Sequence, residues 1–463
     1  LLKNAGEGPV WRPVPPEVRE RFRAPAPRAP GSVEAIYAEY LRDILPYRMG
    51  NIHPRFWAWY MGNGTLTGAL GDFLAAVMNS NVGGGNHVAP LVEAQVIDWM
   101  REVVGLPKGT SGLLTSGASA ANLIGLTVAR NARAGYDVRG DGVRAAPGPL
   151  VAYASAEVHS SNHKAVETLG LGRDGLRAVP VGPDYRIDLA VLERQVAEDR
   201  AAGAVPFCVI GNAGTINTGA IDDLPALADL CARERLWFHV DGAIGAVAIL
   251  ADSVRPQLAG IERADSVALD LHKWMHVPFE AGCALVRDEA AHRAAFTLTP
   301  EYLAHEADGR GLAAGAFWPS DYGLQLSRQF RALKVWMSVK EHGLDRFGRM
   351  IARNVEQARY LGRLIEAEPR LSLMAPIGLD IVCFRFDPGG FPPAALDRLN
   401  QEILIELHEQ GIAAPSATTL GGRSCLRVAI ANHRSRDEDF ELLVREVLRL
   451  GEALAPGAAQ GSA

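Results

Sequence analysis

Short apolar runs alternate with amphipathic stretches through the middle of the chain. Runs rich in β-branched and aromatic residues predict strands near positions 150, 207, 237 and 266. Stretches with helical periodicity at 189–201 and 224–235 lie between them. This alternation predicts an α/β fold with a mostly parallel sheet that carries helices on both faces. Polar residues that follow the strands should therefore meet at one edge of the sheet.

The two ends of the chain follow other patterns. Residues 1–31 are rich in Pro and Arg and predict an extended arm, and Ser32 is a suitable N-cap for the next helix. A long helix is predicted at 325–341. After residue 347 the elements predict a small α+β domain with a disordered tail: helices from about 348, at 393–410 and at 437–454, and strands at 380–386 and 424–430. We expect an N-terminal arm and helical segment over 1–75, a large domain over 76–346 and a small domain over 347–463.

Composition narrows the class of protein. The chain has 463 residues, of which 48% are hydrophobic and 22% charged, and its net charge is −6. These values are typical of a globular protein and give no reason to expect nucleic acid or an anionic membrane as a partner. No apolar run approaches the roughly 20 residues of a transmembrane helix. Five scattered cysteines without a CxxC pair, and a start without a signal-peptide pattern, predict a cytoplasmic protein with reduced thiols and no metal site.

The predicted strand at 266–269 ends in a polar cluster of Asp270, His272 and Lys273, followed by Trp274. A lysine at the mouth of a buried strand is costly unless it is neutralised, paired or bonded to another group. It is either a surface lysine that begins a loop or a nucleophilic lysine that holds pyridoxal 5'-phosphate (PLP) through a Schiff base. The polar clusters elsewhere in the chain favour the cofactor.

Small and hydroxylated residues lead from Leu113 into an amphipathic helix predicted over 122–133. Small side chains let backbone N–H groups approach an anion, and a helix N-terminus adds positive potential. Gly117 and Ala118 would supply amides and Ser119 a hydroxyl. Alone, such a stretch is commonly a helix cap, but upstream of a PLP-type lysine it predicts a phosphate cradle.

Two strand ends carry groups that suit a flat cofactor ring. Asp241 ends the predicted strand at 237–241, and a buried acid needs a partner such as a protonated pyridine nitrogen. Gly242 and Ala243 leave room for a ring across them. His159 follows the strand near 150 and could stack on the ring. The alternatives are an Asp that caps a helix or pairs with an Arg, and a loop histidine with ordinary hydrogen bonds.

Seven segments carry a family resemblance: His53–Phe56, Ser119 at the start of its helix, His159–Ser161, His239–Asp241, His272–Trp274, Phe330–Trp336 and Leu426–Ala429. Through them the chain resembles the PLP-dependent group II amino-acid decarboxylases, the family of aromatic-L-amino-acid decarboxylase, from about His53 to Val447. The resemblance implies a type I aminotransferase-like fold with a seven-stranded sheet and an amino-acid substrate. It also implies an obligate homodimer with active sites at the interface, and an N-terminal segment that packs on the partner subunit.

The resemblance also assigns roles by position. It implies that Lys273 forms the Schiff base, that Asp241 pairs with the pyridine nitrogen and that His159 stacks on the ring. Further cofactor contacts are implied for seven positions: Ala118, Ser119, Ser160, Thr215, Ala243, Asp270 and His272.

Loss of carbon dioxide is the reaction that the resemblance implies, and its product depends on the group that delivers a proton to Cα. In the family this donor is usually a tyrosine on a mobile loop of the other subunit, and residues 305–316 have the Gly/Ala-rich composition of a lid. The expected window, 316–319, contains no tyrosine, and Tyr322 is the nearest. With Tyr322 as donor the product is an amine. Relatives with Phe in this role form an aldehyde, ammonia and peroxide instead.

The aromatic cluster at 53–60 suggests an aromatic substrate, although these side chains could pack a core or a subunit interface instead. The glycine loop at 83–87 is either a pocket edge or a linker. The candidates for the substrate pocket are Trp57, Trp59, Tyr60, His87, Phe317 and Trp318.

Two other functions stay open. PLP-dependent carbon–carbon lyases carry a similar Asp-x-His-Lys segment, but Trp274 and the stretch at 330–336 favour a decarboxylase. A catalytically silent PLP-fold binding protein would have no need to retain Lys273, Asp241 and His159 together.

Overall fold

The computed structural model describes residues 2–298, 310–315 and 317–460. The chain forms two compact units, a smaller one of Leu1–Met61, Gln357–Ala375 and Ile381–Ala463 and a larger one of Gly62–Glu356 and Pro376–Asp380. The divisions therefore differ from those placed after residues 75 and 346, because residues up to 61 share a unit with the C-terminal segment. Half of the stretch proposed as a lid, 305–309 and residue 316, lies outside the described residues.

The bounds of the regular elements are as follows. The strands are β1 (Ser111–Thr115), β2 (Leu150–Ser155), β3 (Leu176–Val179), β4 (Val205–Asn212), β5 (Trp237–Asp241), β6 (Ser266–Asp270), β7 (Gly282–Val286), β8 (Leu371–Leu373), β9 (Ile381–Phe386), β10 (Ser416–Leu420) and β11 (Arg423–Ala429). The helices are α1 (Pro16–Arg21), α2 (Val33–Glu39), α3 (Leu66–Met78), α4 (Val88–Val104), α5 (Ala118–Arg133), α6 (Val138–Asp141), α7 (Ser160–Thr168), α8 (Leu189–Ala201), α9 (Leu224–Glu234), α10 (Glu289–Phe296), α11 (Ala332–His342), α12 (Leu344–Glu366), α13 (Pro393–Glu409) and α14 (Asp437–Gln460).

The larger unit is built on a seven-stranded sheet with the strand order β1-β7-β6-β5-β4-β2-β3. The five strands from β6 to β3 are parallel, and β7 is antiparallel to both of its neighbours. Every residue of β2, β5 and β6 is buried, as expected for strands that are covered on both faces. The predicted α/β fold with a mostly parallel seven-stranded sheet is confirmed.

The register of this sheet brings chemistry-bearing residues together. Asp241 at the end of β5 pairs with Asn212 of β4 on one side and with Ala268 of β6 on the other. Asp270 lies two positions beyond Ala268 on β6. The carboxyl ends of three neighbouring strands therefore form one edge, as the sequence predicted.

Several helix boundaries differ from the predictions: the last helix runs to Gln460 and not to residue 454, and the helix predicted from about 348 begins at Leu344. The helix predicted from Asn122 begins at Ala118, so that Ser119 lies in its first turn. The helix predicted from Gln325 begins only at Ala332, since the main-chain groups of Arg328 form hydrogen bonds with residues 81 and 82 and not within a helix. Its N–H donates to Asn81 Oδ1, and its carbonyl accepts the N–H of Val82 at 2.9 Å.

The smaller unit holds an antiparallel sheet with the order β10-β11-β9-β8, against which α13 and α14 pack. Ser32 Oγ accepts the N–H of Ala35, which confirms the predicted N-cap. Trp57 joins this unit, because its N–H donates to the carbonyl of Ala414 and its carbonyl accepts from Ala429. Among the helices that the structure describes, none has the length and apolarity that crossing a membrane requires.

Candidate active site

Lys273 lies just beyond β6, close to the acid that ends this strand. Its Nζ is 3.1 Å from Asp270 Oδ2, and its side chain is 16% exposed. The amine is therefore largely withdrawn from water while one carboxylate holds its charge. Such a lysine remains approachable from one side, which is what a nucleophilic amine requires.

Asp270 connects this lysine to the start of α5. Its Oδ1 accepts the N–H of Ala118 at 2.7 Å. The Ala118 amide, proposed from the sequence as a phosphate ligand, is thus engaged by a carboxylate of the same chain. Ser119 is exposed in the first turn of α5, where a helix of this length favours an anion.

The backbone around this edge is packed so closely that only glycine fits at two positions. A Cβ on Gly282 would lie 2.5 Å from Gly117 Cα, so β7 runs directly against the predicted cradle. A Cβ on Gly62 would lie 1.8 Å from the carbonyl oxygen of His272. The cradle and the lysine are therefore each held against a neighbouring stretch of main chain.

The imidazole of His272 is buried beside this lysine. Its Nδ1 accepts the N–H of Ala281 at 3.1 Å, and its ring centroid lies 4.5 Å from that of Phe279. Burial lowers the pKa of His272, because the charged imidazolium would be poorly solvated there. With Nδ1 as an acceptor, a neutral His272 carries its proton on Nε2.

Asp241 is a buried carboxylate whose hydrogen-bond donors, in the described part of the chain, are all N–H groups. Asn122 Nδ2 and Asn162 Nδ2 donate to its Oδ2 at 2.9 and 2.7 Å, and the Ala243 amide donates to Oδ1 at 3.2 Å. Among the described residues, no Lys or Arg nitrogen pairs with it. A buried carboxylate with its charge uncompensated in this way suits a cationic group supplied from outside the chain.

His159 lies at the N-cap of α7. Its Nδ1 accepts the N–H of Ser161 at 3.2 Å and lies 2.8 Å from Ser161 Oγ. Burial is the main reason that its pKa is lowered, and the nearby Lys273 adds to the effect. At neutral pH its ring is therefore uncharged, as a ring that stacks on a flat cofactor should be.

The other predicted cofactor contacts differ in exposure. Ser160 is exposed at the start of α7, and Ala243 is half-buried just beyond β5. Thr215 is buried, its Oγ1 lying 3.0 Å from Thr218 Oγ1 and accepting the N–H of Ala220. The Thr215 hydroxyl is thus already bonded within the loop that follows β4.

The residues present fit PLP. Asp241 offers a charge for a protonated ring nitrogen, Lys273 an amine, and the start of α5 a place for a phosphate. Gly242 has no space for a side chain, since its Cβ would lie 2.6 Å from the Cβ of Ala246.

Comparison with known proteins agrees with this chemistry. Residues 15–387 match the pyridoxal-dependent decarboxylase conserved domain. The chain belongs to this family. Its cofactor is PLP, and it is a PLP-dependent amino-acid decarboxylase.

Similar proteins include members with different substrates. The chain is 34% identical to aromatic-L-amino-acid decarboxylase of Bacillus atrophaeus, over 87% of this chain and 82% of the relative. It is 32% identical to L-2,4-diaminobutyrate decarboxylase of Acinetobacter baumannii, over 80% of this chain and 74% of the relative. A crystal structure of Oryza sativa TDC with PLP and tryptamine matches with a TM-score of 0.90 and 27% identity, over 98% of this chain and 95% of that one.

In this decarboxylase, four polar residues around Asp241 and His159 were not singled out by sequence reasoning: Asn122, Ser161, Asn162 and His239. Ser161 and His239 lie in segments that carry the family resemblance, but neither received a role of its own. For the two asparagines the available signal was helical spacing, because Asn122 lies three residues beyond Ser119 and Asn162 three residues beyond His159, which places each pair on one helix face.

Tyr322, the proposed proton donor, is buried and held by a specific bond. Its hydroxyl donates to Glu289 Oε1 at 2.6 Å, and its ring contacts those of His292 and Phe317. Burial, and next the bond to Glu289, raise the pKa of this phenol. The role of Tyr322 stays a prediction, and this bond argues against a freely moving donor.

Two candidates for the substrate pocket, His87 and Trp318, line a cavity of about 600 Å³ in the larger unit. Trp318 covers the glycine loop, since a Cβ on Gly84 would lie 2.0 Å from its indole. His87 Nε2 lies 3.2 Å from the carbonyl of Gly84. Phe317 is half-buried against Tyr322.

The other three candidates belong to the smaller unit. Trp57 is 1% exposed, its indole stacks on Phe440 at 5.1 Å, and its Nε1 donates to Ser435 Oγ. Tyr60 is buried too, whereas Trp59 is 56% exposed. For Trp57 these contacts favour the alternative of core packing.

Proposed function

We propose that this decarboxylase acts on an aromatic L-amino acid and releases carbon dioxide and the corresponding amine. The observation that carries the proposal is the character of the cavity beside Trp318. Its described lining residues include no Asp, Glu, Lys or Arg, and they combine an indole, leucines and glycines with His87 and a few other polar groups. A cationic substrate side chain would lack a carboxylate partner there, whereas an indole or phenol ring would find apolar walls.

We further propose that the active enzyme is a homodimer whose interface includes α3. Four large apolar side chains of α3 follow one another at helical spacing and are 47% to 72% exposed: Leu66, Leu70, Phe73 and Val77. A contiguous apolar stripe of this kind is costly in water and marks an interaction surface. The family resemblance supports a second copy of the chain as the occupant, with active sites at the interface.

Within this proposal, each residue at the sheet edge has a defined task. Lys273 binds the cofactor, and Asp270, which holds its charge, keeps the amine oriented at the mouth of β6. When bound, PLP supplies an electron sink for the bond that loses carbon dioxide. Asp241 keeps a positive charge on the ring nitrogen favourable, because it is itself buried and anionic. His159, whose pKa is lowered by burial, would cover the ring and exclude water from it as a neutral imidazole.

A second candidate product is the aldehyde. The described part of the loop window, 317–319, contains no tyrosine, and the Tyr322 hydroxyl is bonded to Glu289. Without a proton donor at Cα, oxygen would compete for the electron-rich intermediate. The product is therefore the sharpest test of the donor.

The test is to incubate the purified PLP enzyme in air with each of the twenty L-amino acids and with L-2,4-diaminobutyrate. Carbon dioxide, amine, aldehyde and peroxide are then measured. An amine from Trp, Tyr or Phe supports the proposal, whereas an amine from diaminobutyrate or Glu alone overturns the substrate assignment. Aldehyde with peroxide establishes the second candidate. Lys273→Ala is the matched control and should release no carbon dioxide from any substrate.

A further inference from the structure

A continuous chain of buried hydrogen bonds runs beneath the sheet edge from an indole to Asp241. Trp237 Nε1 donates to Ser266 Oγ at 2.8 Å, and this hydroxyl lies 2.8 Å from His239 Nδ1. His239 Nε2 lies 2.9 Å from Asn122 Oδ1, and Asn122 Nδ2 donates to Asp241 Oδ2 at 2.9 Å. All five side chains are buried.

The two end groups of this hydrogen-bond series determine which atom donates and which accepts in each of its hydrogen bonds. The indole of Trp237 can only donate, and an ionised Asp241 can only accept. Asn122 must therefore turn its amide nitrogen to Asp241 and its carbonyl oxygen to His239. Facing that carbonyl, His239 must carry a proton on Nε2, and its Nδ1 accepts the proton of Ser266. Burial lowers the pKa of His239 to about 4, so the ring holds this single proton at neutral pH.

A branch of the same chain reaches His159. Asn122 Nδ2 also donates to Ser161 Oγ at 3.2 Å, and that oxygen lies 2.8 Å from His159 Nδ1. Since Ser161 accepts from Asn122, its own hydroxyl proton points to His159 Nδ1. The N–H of Ser161 is directed at the same nitrogen. The proton of a neutral His159 is thereby left on Nε2.

We propose that His239 and Asn122 are positioning residues that set the proton arrangement of the active site. They hold Asp241 as an ionised acceptor and His159 as the Nε2–H tautomer before any substrate arrives. If the His239 proton were absent, the Asn122 amide could turn over and present its oxygen to the Asp241 carboxylate, which is repulsive. The inference rests on the proposed roles of Asp241 and His159 and is independent of which amino acid is the substrate.

The test compares His239→Gln with His239→Met in the whole enzyme. Glutamine can keep an N–H donor toward Asn122, whereas methionine fills similar space without one. We expect the dissociation constant of PLP, measured by titrating the apoenzyme, to rise at least about tenfold in His239→Met and less than about threefold in His239→Gln.

His292→Met is the matched control for general damage to the fold. His292 is equally buried, and both of its ring nitrogens also have partners, namely Ser111 Oγ and the carbonyl of Tyr322. It does not belong to the series of hydrogen bonds that connects Trp237 with Asp241. Equal losses of PLP affinity in His239→Met and His292→Met would overturn the proposal.

A second readout needs neither substrate nor activity. In enzyme labelled with ¹⁵N-histidine, the His159 signals, assigned with His159→Gln, should show an unprotonated Nδ1 in the wild type and in His239→Gln, and a mixture of tautomers in His239→Met. An unchanged His159 spectrum in His239→Met would refute the branch to His159. Because only PLP and nitrogen signals are measured, these outcomes stay distinct from a wrong substrate assignment.

Discussion

Asp241 combines burial with a charge that only N–H groups of the described chain satisfy. Such a carboxylate is costly by itself and becomes favourable when a cation binds beside it. Its neighbours are arranged for the ionised form, since both asparagines present their amide nitrogens to it.

Replacing this charge should therefore damage catalysis more than folding. We expect Asp241→Asn to lower kcat by on the order of 100-fold or more, because removing a preorganised charge at a reacting centre typically has that effect. The measurement is the rate of carbon dioxide release at saturating substrate and PLP. Asp222→Asn is the control, since Asp222 is a buried carboxylate whose partners among the described residues are the Ile187 and Asn212 amides and the Asn212 side chain. A kcat for Asp241→Asn within a factor of three of the wild type would contradict this role.

Buried histidines also predict how stability depends on pH. Burial lowers the pKa of His239 and His292 to about 4, from an ordinary value of 6.5. Between these values the unfolded chain binds protons that the folded chain does not. The free energy of unfolding should therefore be fully maintained above about pH 6.5 and fall as the pH is lowered toward 4, by up to about 3 kcal/mol for each histidine.

Urea unfolding at pH 7, 5.5 and 4.5 measures this dependence. His292→Gln removes one titrating ring while its amide can still donate to the carbonyl of Tyr322. The loss of stability between pH 7 and 4.5 should be smaller in this variant than in the wild type. Equal losses in the variant and the wild type would show that His292 does not contribute to the pH dependence of the free energy of unfolding.

At the scale of elements, one buried ion pair ties β1 to α4. Arg328 and Glu93 are both fully buried and form two hydrogen bonds of 3.0 and 2.6 Å. Glu93 accepts the N–H of Leu114 in β1, and Arg328 donates to the carbonyl of the same residue. The strand that leads into the phosphate cradle is therefore held at both of its main-chain groups.

Removing one partner of this pair should leave a buried charge without compensation. We expect Arg328→Met to lower the free energy of unfolding by about 3–5 kcal/mol, which is typical for breaking a buried ion pair. Urea denaturation of the holoenzyme checks this. The exposed pair Arg173–Glu167 supplies the control, since Arg173→Met should cost less than about 1 kcal/mol. Similar losses in the two variants would mean that burial is not the deciding factor.

At the scale of the whole molecule, the apolar stripe of α3 predicts assembly. Phe73 is 64% exposed on this stripe, and a glutamate there would place a charge in the proposed interface. We expect Phe73→Glu to elute as a monomer in size-exclusion chromatography with light scattering, and its activity to fall with the loss of the dimer. Ile405→Glu is the control, because Ile405 is also exposed but lies on α13. A wild type that is monomeric, or a Phe73→Glu variant that stays dimeric, would refute the proposed interface.

Local patterns in the sequence were sufficient for the fold class, most strand positions and the cluster of Asp270, His272 and Lys273. Strand and helix periodicities are properties of neighbouring residues, and parallel strands necessarily end at one edge of the sheet. Asp270 and Lys273 are three residues apart, so their pairing also follows from short-range geometry.

Only the tertiary structure decided which groups surround Asp241 and which proposed contacts are already engaged. Asn122 is 119 residues from Asp241 in the chain, and Ala118 is 152 residues from Asp270. Such pairs depend on strand order and register, which the sequence pattern leaves open because any of several neighbours could satisfy a buried acid. The same applies to Trp57, whose burial against Phe440 could not be told from a pocket wall by residue type alone.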